Sequence, residues 1–468
     1  MRRNYGYGRR RKSRWGLWLG LIVLLLAAGA GAFVMLSPKF ERIPPTISMK
    51  KNYVWSPGKT LRITLKDNHA LGGYQALLSN GSKQLLVASS RFAVPLKETE
   101  VALKLPSDLG KRLSGGNWKL IVLASDRSLW NFGEGNRAQA SASLLVDREP
   151  PEVSLTAYSP SIVRGGSAMV IFKAVDPYLK EVYVQVGKRR FQVLPYRHKG
   201  YWATLFAWPF RDKALDARVV AVDRSGNRKE VPIPIDTIYK RYKVSWIPLS
   251  DRFLNGKIVQ VARRDPKASK AKDPLARFKA VNEGMRIANE KLIHRYTSKP
   301  TKVDFKHWRP HPFYPLKSAK LVADFGDERH YYYKDRTKEV SRSYHLGYDL
   351  ASVRHAPIRS SNDAMTVFAG YNGIYGKMPI LDHGFGLYTL YGHCSTLKVE
   401  AGDPVKAGQV IARTGMTGLA LGDHLHFGIL IQGVEVLPMD WLKANWIKSH
   451  INQVMERADR LIRRQTEQ

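Results

Sequence analysis

The longest hydrophobic run of the chain lies near its amino terminus. Residues 15–36 carry no charge, and these 22 residues are long enough to cross a bilayer as a helix. Residues 1–14 hold seven Arg or Lys and no acid, and such a basic flank stays in the cytoplasm. We therefore predict a cytoplasmic tail at 1–14, a transmembrane helix at 15–36, and the bulk of the chain in the periplasm or extracytoplasmic space. A cleaved signal peptide ending within residues 27–32 is the alternative.

Two stretches, 44–147 and 150–237, repeat one pattern of short alternating strands. Each opens with a pair of prolines, and each carries an Asp-Arg-Ser turn, at Asp126 or Asp223, before its last strand. Alternation interrupted by turn residues about every ten positions is typical of a β-sandwich. The pattern resembles bacterial immunoglobulin-like modules, which implies two tandem Ig-like β-sandwich modules that serve as spacers or contact surfaces. Calcium binding at the turn 223–227 is a weaker alternative.

Residues 238–310 differ from both modules and predict a helical linker. The Lys- and Arg-rich stretch 263–273 predicts an exposed loop, and apolar residues at helical spacing over 274–296 predict an amphipathic helix. Two hypotheses follow: the segment packs over or beside the neighbouring cleft and restricts entry, or it holds the next domain at a fixed distance. The last segment of the chain is 441–468. The pattern of its residues 441–464 predicts a terminal basic helix whose arginines face the cell wall, the membrane or solvent.

Charge and cysteine content narrow the choice of partners. The 468 residues carry 76 Lys plus Arg against 39 Asp plus Glu, a net charge of +37 that attracts polyanions. The sequence has no recognisable nucleic-acid-binding motif, so we expect no nucleic acid and favour an anionic membrane surface or cell wall. The single cysteine, Cys394, excludes an internal disulfide, and we interpret it as a packing residue and not as a nucleophile.

Three short motifs bring together four imidazoles and one carboxylate. They are His345 with Asp349 four residues later, His393 after a Tyr-Gly pair, and His424 with His426 before a phenylalanine. Alternation around the last pair predicts a buried strand, and residues i and i+2 of a strand point to one face. The spacing of the first pair suits a strand or a helix, and the intervening glycine favours a strand or loop. Such side chains bind catalytic zinc, which usually takes three protein ligands, and move protons beside it.

Residues 315–440 resemble the lysostaphin/LytM-type zinc endopeptidases, which cut peptidoglycan cross-bridges. The motifs H-x-x-x-D, Y-x-H and H-x-H followed by an aromatic occur in order, together with the family's glycine turns and its V-x-x-G-Q-x-I stretch at 405–411. The resemblance implies a compact antiparallel β-sheet catalytic domain at 311–440 that holds Zn²⁺. It assigns His345, Asp349 and His426 as zinc ligands, and His393 and His424 as the catalytic pair.

The sequence departs from the family pattern at two positions beside these motifs. His355 stands where a Gly is common and Asp423 where a Pro is common; neither is a predicted ligand, so they bear on substrate preference. We interpret His383, next to a glycine hairpin, as a structural residue with a lesser chance of touching substrate.

The fold class expected is mainly β, with an N-terminal transmembrane helix and a helical linker. The function expected is a membrane-anchored zinc metallo-endopeptidase that hydrolyses peptide cross-links of peptidoglycan. Its partners would be peptidoglycan, the cytoplasmic membrane through the N-terminal helix, and a regulatory envelope protein. The alternatives are a metal-free activator of other wall hydrolases and an envelope scaffold with an incidental zinc. The complete ligand set favours the enzyme.

Overall fold

The computed structural model describes residues 15–55, 60–81, 83–104 and 116–467. Strands dominate these residues, which confirms the mainly β class. The chain divides into two compact units, one of residues 1–149 with 224–227, and one of residues 150–223 with 228–468. The predicted cytoplasmic tail at 1–14 lies outside the described residues.

One apolar helix precedes the first module. It is α1 (Trp15–Leu36), 22 residues long and without charged residues, and none of its residues is buried. Ser37 caps the following 3₁₀ turn (Pro38–Phe40) by accepting a hydrogen bond from the Lys39 amide. By length and composition α1 can cross a membrane, so it is a candidate anchor or signal segment.

The first module is one six-stranded sheet, in the order β1-β3-β5-β6-β2 with β4 paired to β3. The prediction of short strands is wrong here, because β3 and β4 run for 20 and 21 residues. Gly72 and Gly73 lie within β3, where glycine allows the neighbouring strands to approach closely. A Cβ at Gly72 would lie 2.3 Å from the Asp126 carbonyl oxygen, and a Cβ at Gly73 would lie 2.7 Å from the Ser90 carbonyl oxygen. The Ig-like arrangement is not confirmed. The elements are β1 (Thr46–Ser48), β2 (Asn52–Trp55), β3 (Thr60–Ser79), β4 (Gln84–Lys104), β5 (Gly116–Asp126), a helical turn (Trp130–Gly133) and β6 (Arg137–Val146).

The second module has two four-stranded sheets, β11-β10-β14-β15 and β12-β13-β9-β7, with β8 and β16 paired beside them. Residues 168–172 of β9 are fully buried, and Leu205 and Val219 from the two sheets share their core. This arrangement differs from the first module, so the predicted repeat is not confirmed, and the Ig-like assignment stays a prediction. The strands are β7 (Glu152–Tyr158), β8 (Ser161–Val163), β9 (Ser167–Val175), β10 (Leu179–Val186), β11 (Arg189–Gln192), β12 (Leu194–Pro195), β13 (Tyr201–Ala207), β14 (Ala217–Asp223), β15 (Arg228–Pro232) and β16 (Asp236–Ile238).

The linker contains a strand that the sequence analysis did not predict. β17 (Val244–Pro248) pairs in parallel with β19 (Glu328–Tyr332), so the linker joins a sheet of the domain that is predicted to be catalytic, which we call the catalytic domain. A helical stretch follows, with a π segment (Phe253–Lys257), an α segment (Ile258–Ala262) and a 3₁₀ turn (Ala268–Lys270).

The amphipathic helix predicted at 274–296 is confirmed and spans 274–297; we call it the linker helix. Its parts are Pro274–Lys279, a π segment Ala280–Met285, and Arg286–Thr297. Asp273 caps it, because its carboxylate accepts from the Ala276 amide at 2.6 Å. Phe278, Val281 and Ile293 are fully buried in one cluster with strand residues of the catalytic domain, so the helix is part of that domain's core.

The catalytic domain is built on an eight-stranded sheet. Its order is β18-β21-β29-β25-β24-β23-β27 with β30 paired to β29, and the pairings given for it are antiparallel, as predicted. Two three-stranded sheets flank it, β17-β19-β20 and β22-β28-β26. The elements not yet given are β18 (Lys320–Ala323), β20 (Glu339–Tyr344), β21 (Tyr348–Ala351), β22 (Pro357–Arg359), β23 (Ala364–Tyr371), a 3₁₀ turn (Gly373–Tyr375), β24 (Lys377–Asp382), β25 (Leu387–Gly392), β26 (Thr396–Leu397), β27 (Pro404–Val405), β28 (Val410–Arg413), β29 (Leu425–Ile431) and β30 (Val434–Val436).

The carboxyl-terminal residues are helical and pack on the second module. Arg197 of that module forms an ion pair with Asp459 at 2.5 Å, and the Tyr196 hydroxyl donates to the same carboxylate at 2.9 Å. Gln432, at the end of β29, donates to the Gln192 carbonyl at 2.9 Å. The second module is therefore joined to the catalytic domain through a common core. The helical segments are Pro438–Trp441, Ala444–Ile447, a π segment Lys448–Asn452, and Gln453–Thr466.

Candidate active site

All five side chains predicted from the motifs line one cavity of about 360 Å³. Asp349 lies on β21 and His426 on β29, and the register of these strands sets the two residues opposite each other. His345 follows the end of β20 directly. His393 follows β25, whose last residue is paired with His426, and His424 precedes β29 and bridges to Gly415. Strand pairing therefore joins motifs that are up to 81 residues apart.

The three predicted ligands form a compact triangle. The Asp349 Oδ1 atom lies 2.9 Å from His345 Nε2 and 2.9 Å from His426 Nδ1, and the two nitrogens are 3.1 Å apart. Both imidazoles are 6% exposed and the carboxylate 15%. This set could hold a metal ion.

The hydrogen bonds around the triangle fit a cation. His345 Nδ1 lies 2.8 Å from the Asp324 carbonyl oxygen, which can only accept, so Nδ1 carries the proton and Nε2 presents a lone pair. That lone pair faces the Asp349 oxygen and His426 Nδ1 at about hydrogen-bond distance. The Nε2 lone pair and the carboxylate oxygen repel each other unless a proton or a metal ion lies between them. Two imidazole nitrogens and a carboxylate oxygen are a donor set that zinc accepts.

Electrostatics favour the charge states that metal ligands need. Burial by itself would raise the pKa of Asp349, but the adjacent imidazoles, His345 first and His426 second, outweigh it and hold that pKa well below its usual value. Burial lowers the pKa of His426 to about 4. The carboxylate is therefore ionised and this imidazole neutral at pH 7, as metal binding requires.

The other two imidazoles lie side by side next to the triangle. The ring centroids of His393 and His424 are 4.8 Å apart. Their Nδ1 atoms each lie 2.8 Å from a carbonyl oxygen, that of Thr417 for His393 and that of Gly422 for His424. These bonds assign the proton to Nδ1 and leave Nε2 as the atom that can accept one. Burial first, and the neighbouring His424 second, lower the pKa of His393 to about 3, so it is neutral.

His393 is held in an uncommon backbone conformation. Its φ is +64°, and its amide donates to the Tyr375 carbonyl at 2.7 Å. A non-glycine residue in this region persists only where its surroundings impose it, and such residues cluster at functional sites. The neighbouring Cys394 is fully buried and burial raises the pKa of its thiol to about 12, which fits the predicted packing role.

The linker supplies part of the cavity wall, through residues that the sequence analysis did not name individually. Leu249 and Phe253, from the segment after β17, line the cavity together with Phe278 and Arg286 of the linker helix. The guanidinium of Arg286 donates to the carbonyl and side chain of Asn282, both at 3.0 Å. The apolar periodicity of 274–296 predicted a buried face, and the hypothesis that this segment packs beside the cleft agrees with these positions. Whether the linker restricts entry stays a prediction.

The remaining predicted positions have structural partners. His383 is buried, with Nδ1 3.1 Å from the Asp363 carbonyl oxygen and Nε2 2.8 Å from the Thr389 hydroxyl. Burial lowers its pKa to about 4. His355 and Asp423, the two departures from the family pattern, contact each other: the His355 ring lies 3.6 Å from the Asp423 carboxylate.

Comparison with known families agrees with the position of this site. The profile of Peptidase family M23 matches residues 343–438, which contain all five side chains. These residues are a Peptidase family M23 domain. M23 is a metallopeptidase family, so the domain belongs to a class of peptidases.

Curated relatives of the M23 domain carry names from peptidoglycan chemistry. The "DD-carboxypeptidase/endopeptidase Mpg" of Neisseria meningitidis serogroup B is 38% identical over 127 residues, which cover 27% of either chain. The "Peptidoglycan DD-endopeptidase ShyA" of Vibrio cholerae is 31% identical over 132 residues, 28% of this chain and 29% of that protein. The chain thus spans little more than a quarter of the length of these relatives.

Solved structures of M23 domains also match. The catalytic domain of lysostaphin from Staphylococcus simulans is 28% identical, with coverage of 27% of this chain and 94% of that one and a TM-score of 0.23.

Proposed function

We propose that this protein is a membrane-anchored zinc endopeptidase that hydrolyses peptide cross-links of peptidoglycan. The observation that carries the proposal is the meeting of three potential ligand atoms within 3.1 Å, beside two further imidazoles, in one cavity of an M23 domain. The names of both relatives contain the word endopeptidase, and that of ShyA also contains peptidoglycan, which supports peptidoglycan peptides as the substrate class.

His345, Asp349 and His426 would hold the zinc. When bound, zinc supplies Lewis acidity toward a carbonyl and lowers the pKa of a water. The role of the three residues is to present ionised or neutral donors in a fixed triangle. The carbonyl of Asp324 orients His345, because it holds the proton of that imidazole on Nδ1.

His393 and His424 would move protons during hydrolysis. Both imidazoles present Nε2, since their Nδ1 protons are engaged by the carbonyls of Thr417 and Gly422. One of the two accepts the proton of the attacking water on Nε2 and can pass that proton to the leaving amine. The other donates to the tetrahedral oxyanion once its own Nε2 has taken up a proton from solvent. The 4.8 Å between their rings lets one substrate bond contact both.

The surroundings of the cavity suit an anionic peptide. Arg286 and Arg329 line it, and the whole chain carries a net charge of +37. Peptidoglycan stem peptides carry carboxylates, which guanidinium groups bind with directed hydrogen bonds. We infer that α1 anchors the protein in the cytoplasmic membrane and that the M23 domain acts in the envelope outside it.

The test combines zinc content with turnover of purified cross-linked muropeptides by the full chain. The native protein should hold about one zinc, and His345→Ala and His426→Ala should lose it. His393→Ala and His424→Ala should keep the zinc and lose about 10²- to 10⁴-fold in turnover. His307→Ala is the matched control, because that imidazole is 84% exposed and lies outside the cavity.

The other outcomes identify the alternative functions. A protein that binds no zinc and cleaves nothing, yet speeds a second wall hydrolase, would be an activator. A native protein that holds zinc but shows no turnover above background would be a scaffold. Full zinc in either ligand variant would overturn the ligand assignment.

A further inference from the structure

A second group of potential ligands lies in the first unit, in residues that the catalytic site does not use. Glu41 precedes β1, Asp67 lies on β3, and Asp126 is the last residue of β5. One carboxylate oxygen from each lies within 4.8 Å of the others. Three acids from segments separated along the chain are thus brought to one place by the fold.

Neutral donors position these carboxylates without neutralising them. Asp126 Oδ1 accepts from the amides of Ser128 and Asn136, at 2.9 and 2.8 Å. The Asn136 side chain donates to Asp126 Oδ2 at 2.8 Å and to Glu41 Oε1 at 3.3 Å. The ion pairs described in this unit join other residues, namely Arg62 with Glu100, Lys66 with Glu98 and Arg137 with Glu134.

One carboxylate oxygen of Asp67 is buried without a hydrogen-bond donor. Asp67 is 9% exposed, and its Oδ1 accepts from the His69 amide at 2.8 Å. Its Oδ2 has no partner among the described residues. A buried, unpaired carboxylate oxygen next to two further acids is unfavourable, because it loses hydration and gains repulsion. Burial raises the pKa of Glu41, and the nearby Asp126 carboxyl adds to the increase.

We propose that Glu41, Asp67 and Asp126 bind a hard divalent cation, which we assign as Ca²⁺. The ligand atoms are all oxygens, which Ca²⁺ prefers and which differ from the imidazole-containing set of the M23 domain. Three protein ligands leave the remaining positions to water, so we expect a dissociation constant of about 10⁻⁴–10⁻³ M, as in extracellular modules. Among the described residues, the turn 223–227, where calcium was the weaker alternative, forms no such group.

The cation would fix the segment that follows α1 to the first module. The Ser128 hydroxyl and the Asn136 amide already bind the Glu41 carbonyl, at 2.7 and 2.9 Å. A cation bound by Glu41 together with Asp67 and Asp126 adds ligands from β3 and β5 to this attachment. The connection between the apolar helix and the module would therefore stiffen when calcium is present. This inference does not depend on the proposed peptidase activity.

The test is calcium binding by the zinc-loaded, full-length protein in detergent, measured by titration calorimetry in calcium-depleted buffer. We expect one Ca²⁺ per chain, at least tenfold weaker binding by Asp67→Asn and by Glu41→Gln, and weaker binding of Mg²⁺ than of Ca²⁺. Glu134→Gln is the matched control, because this acid of the same unit is exposed and paired with Arg137.

A thermal measurement guards against misfolded variants. Without calcium, Asp67→Asn should melt at or above the temperature of the native protein, since it removes the unpaired charged oxygen. Added Ca²⁺ should raise the melting temperature of the native protein and of Glu134→Gln, and not that of Asp67→Asn. The proposal is overturned if the native protein binds no Ca²⁺ up to about 10 mM, tenfold above the expected range. It is also overturned if Asp67→Asn and Glu41→Gln bind as the native protein does.

Discussion

The linker helix should be fastened to the catalytic domain chiefly by Phe278. This side chain is fully buried, and its ring centroid lies 5.1 Å from that of Tyr331 and 6.0 Å from that of Phe253. It belongs to one cluster with Ile380 and Leu390 of the central sheet. Phe278→Ala should therefore weaken the contact between helix and sheet while it leaves the five site residues in place.

The expected loss follows from burial and ring contacts. Replacing a buried phenylalanine by alanine typically costs about 3–5 kcal/mol, which includes two aromatic contacts of about 0.5–1.5 kcal/mol each. If the substitution lowers the free energy of local opening of the linker helix by this amount, the protected amides of the helix should exchange with solvent about 10²- to 10⁴-fold faster. A change of about 1.4 kcal/mol corresponds to a factor of ten.

Hydrogen–deuterium exchange of the zinc-loaded full chain measures this directly, in peptides from 274–297. Ile287→Ala is the control on the same helix, because Ile287 is 53% exposed and its loss should change stability by less than about 0.5 kcal/mol. Zinc content should match that of the native protein in both variants. If the amides of the linker helix in Phe278→Ala stay as protected from exchange as in the native protein, the helix is not held by this core. If exchange becomes equally faster across the whole chain, the helix does not open separately from the rest.

Three further predictions concern topology, the cysteine and the second module. A reporter that functions only outside the cytoplasm, fused after Gln468, should be active; activity of a cytoplasmic reporter instead would contradict the proposed orientation. Cys394→Ala should keep turnover within a few-fold, and the native thiol should resist alkylation at pH 8, because its pKa of about 12 keeps it protonated; rapid alkylation of folded protein would refute this. Asp459→Asn should lower the free energy of unfolding by up to about 3 kcal/mol, because it leaves the largely buried Arg197 without its counter-charge. The exposed Glu456→Gln is its control in a thermal melt, and equal melting temperatures would contradict the pairing.

Local patterns determined which residues could act together. The alternation of His424-Leu425-His426-Phe427 required both imidazoles to share a face, because side chains of a strand alternate, and both do line the cavity. The apolar run 15–36 and the helical spacing over 274–296 predicted helices that the structure contains. These features depend on neighbours a few residues apart, which a sequence displays directly.

The structural roles of glycine and aspartate are harder to predict from sequence, because each of these residue types serves several purposes. The first module was predicted as short strands, yet β3 continues through Gly72 and Gly73, where neighbouring backbones approach closely. Asp126 was predicted as a turn residue, and its closeness to Glu41 and Asp67 could not be inferred from spacing. Such roles depend on which strand lies alongside, and that is a property of the whole sheet.

The sequence by itself supplied the candidate side chains, four imidazoles and one carboxylate in three motifs, and the family resemblance singled out His345, Asp349 and His426 as the expected ligands. Only the tertiary structure decided that they meet at 2.9–3.1 Å, because the register of β21 on β29 sets Asp349 opposite His426 and the chain enters β21 from His345. It also decided that the linker forms a wall of the cavity and that the second module shares the core of the catalytic domain. Periodicity shows which face of a segment is apolar. Packing among segments that are far apart in the chain determines which partner covers that face.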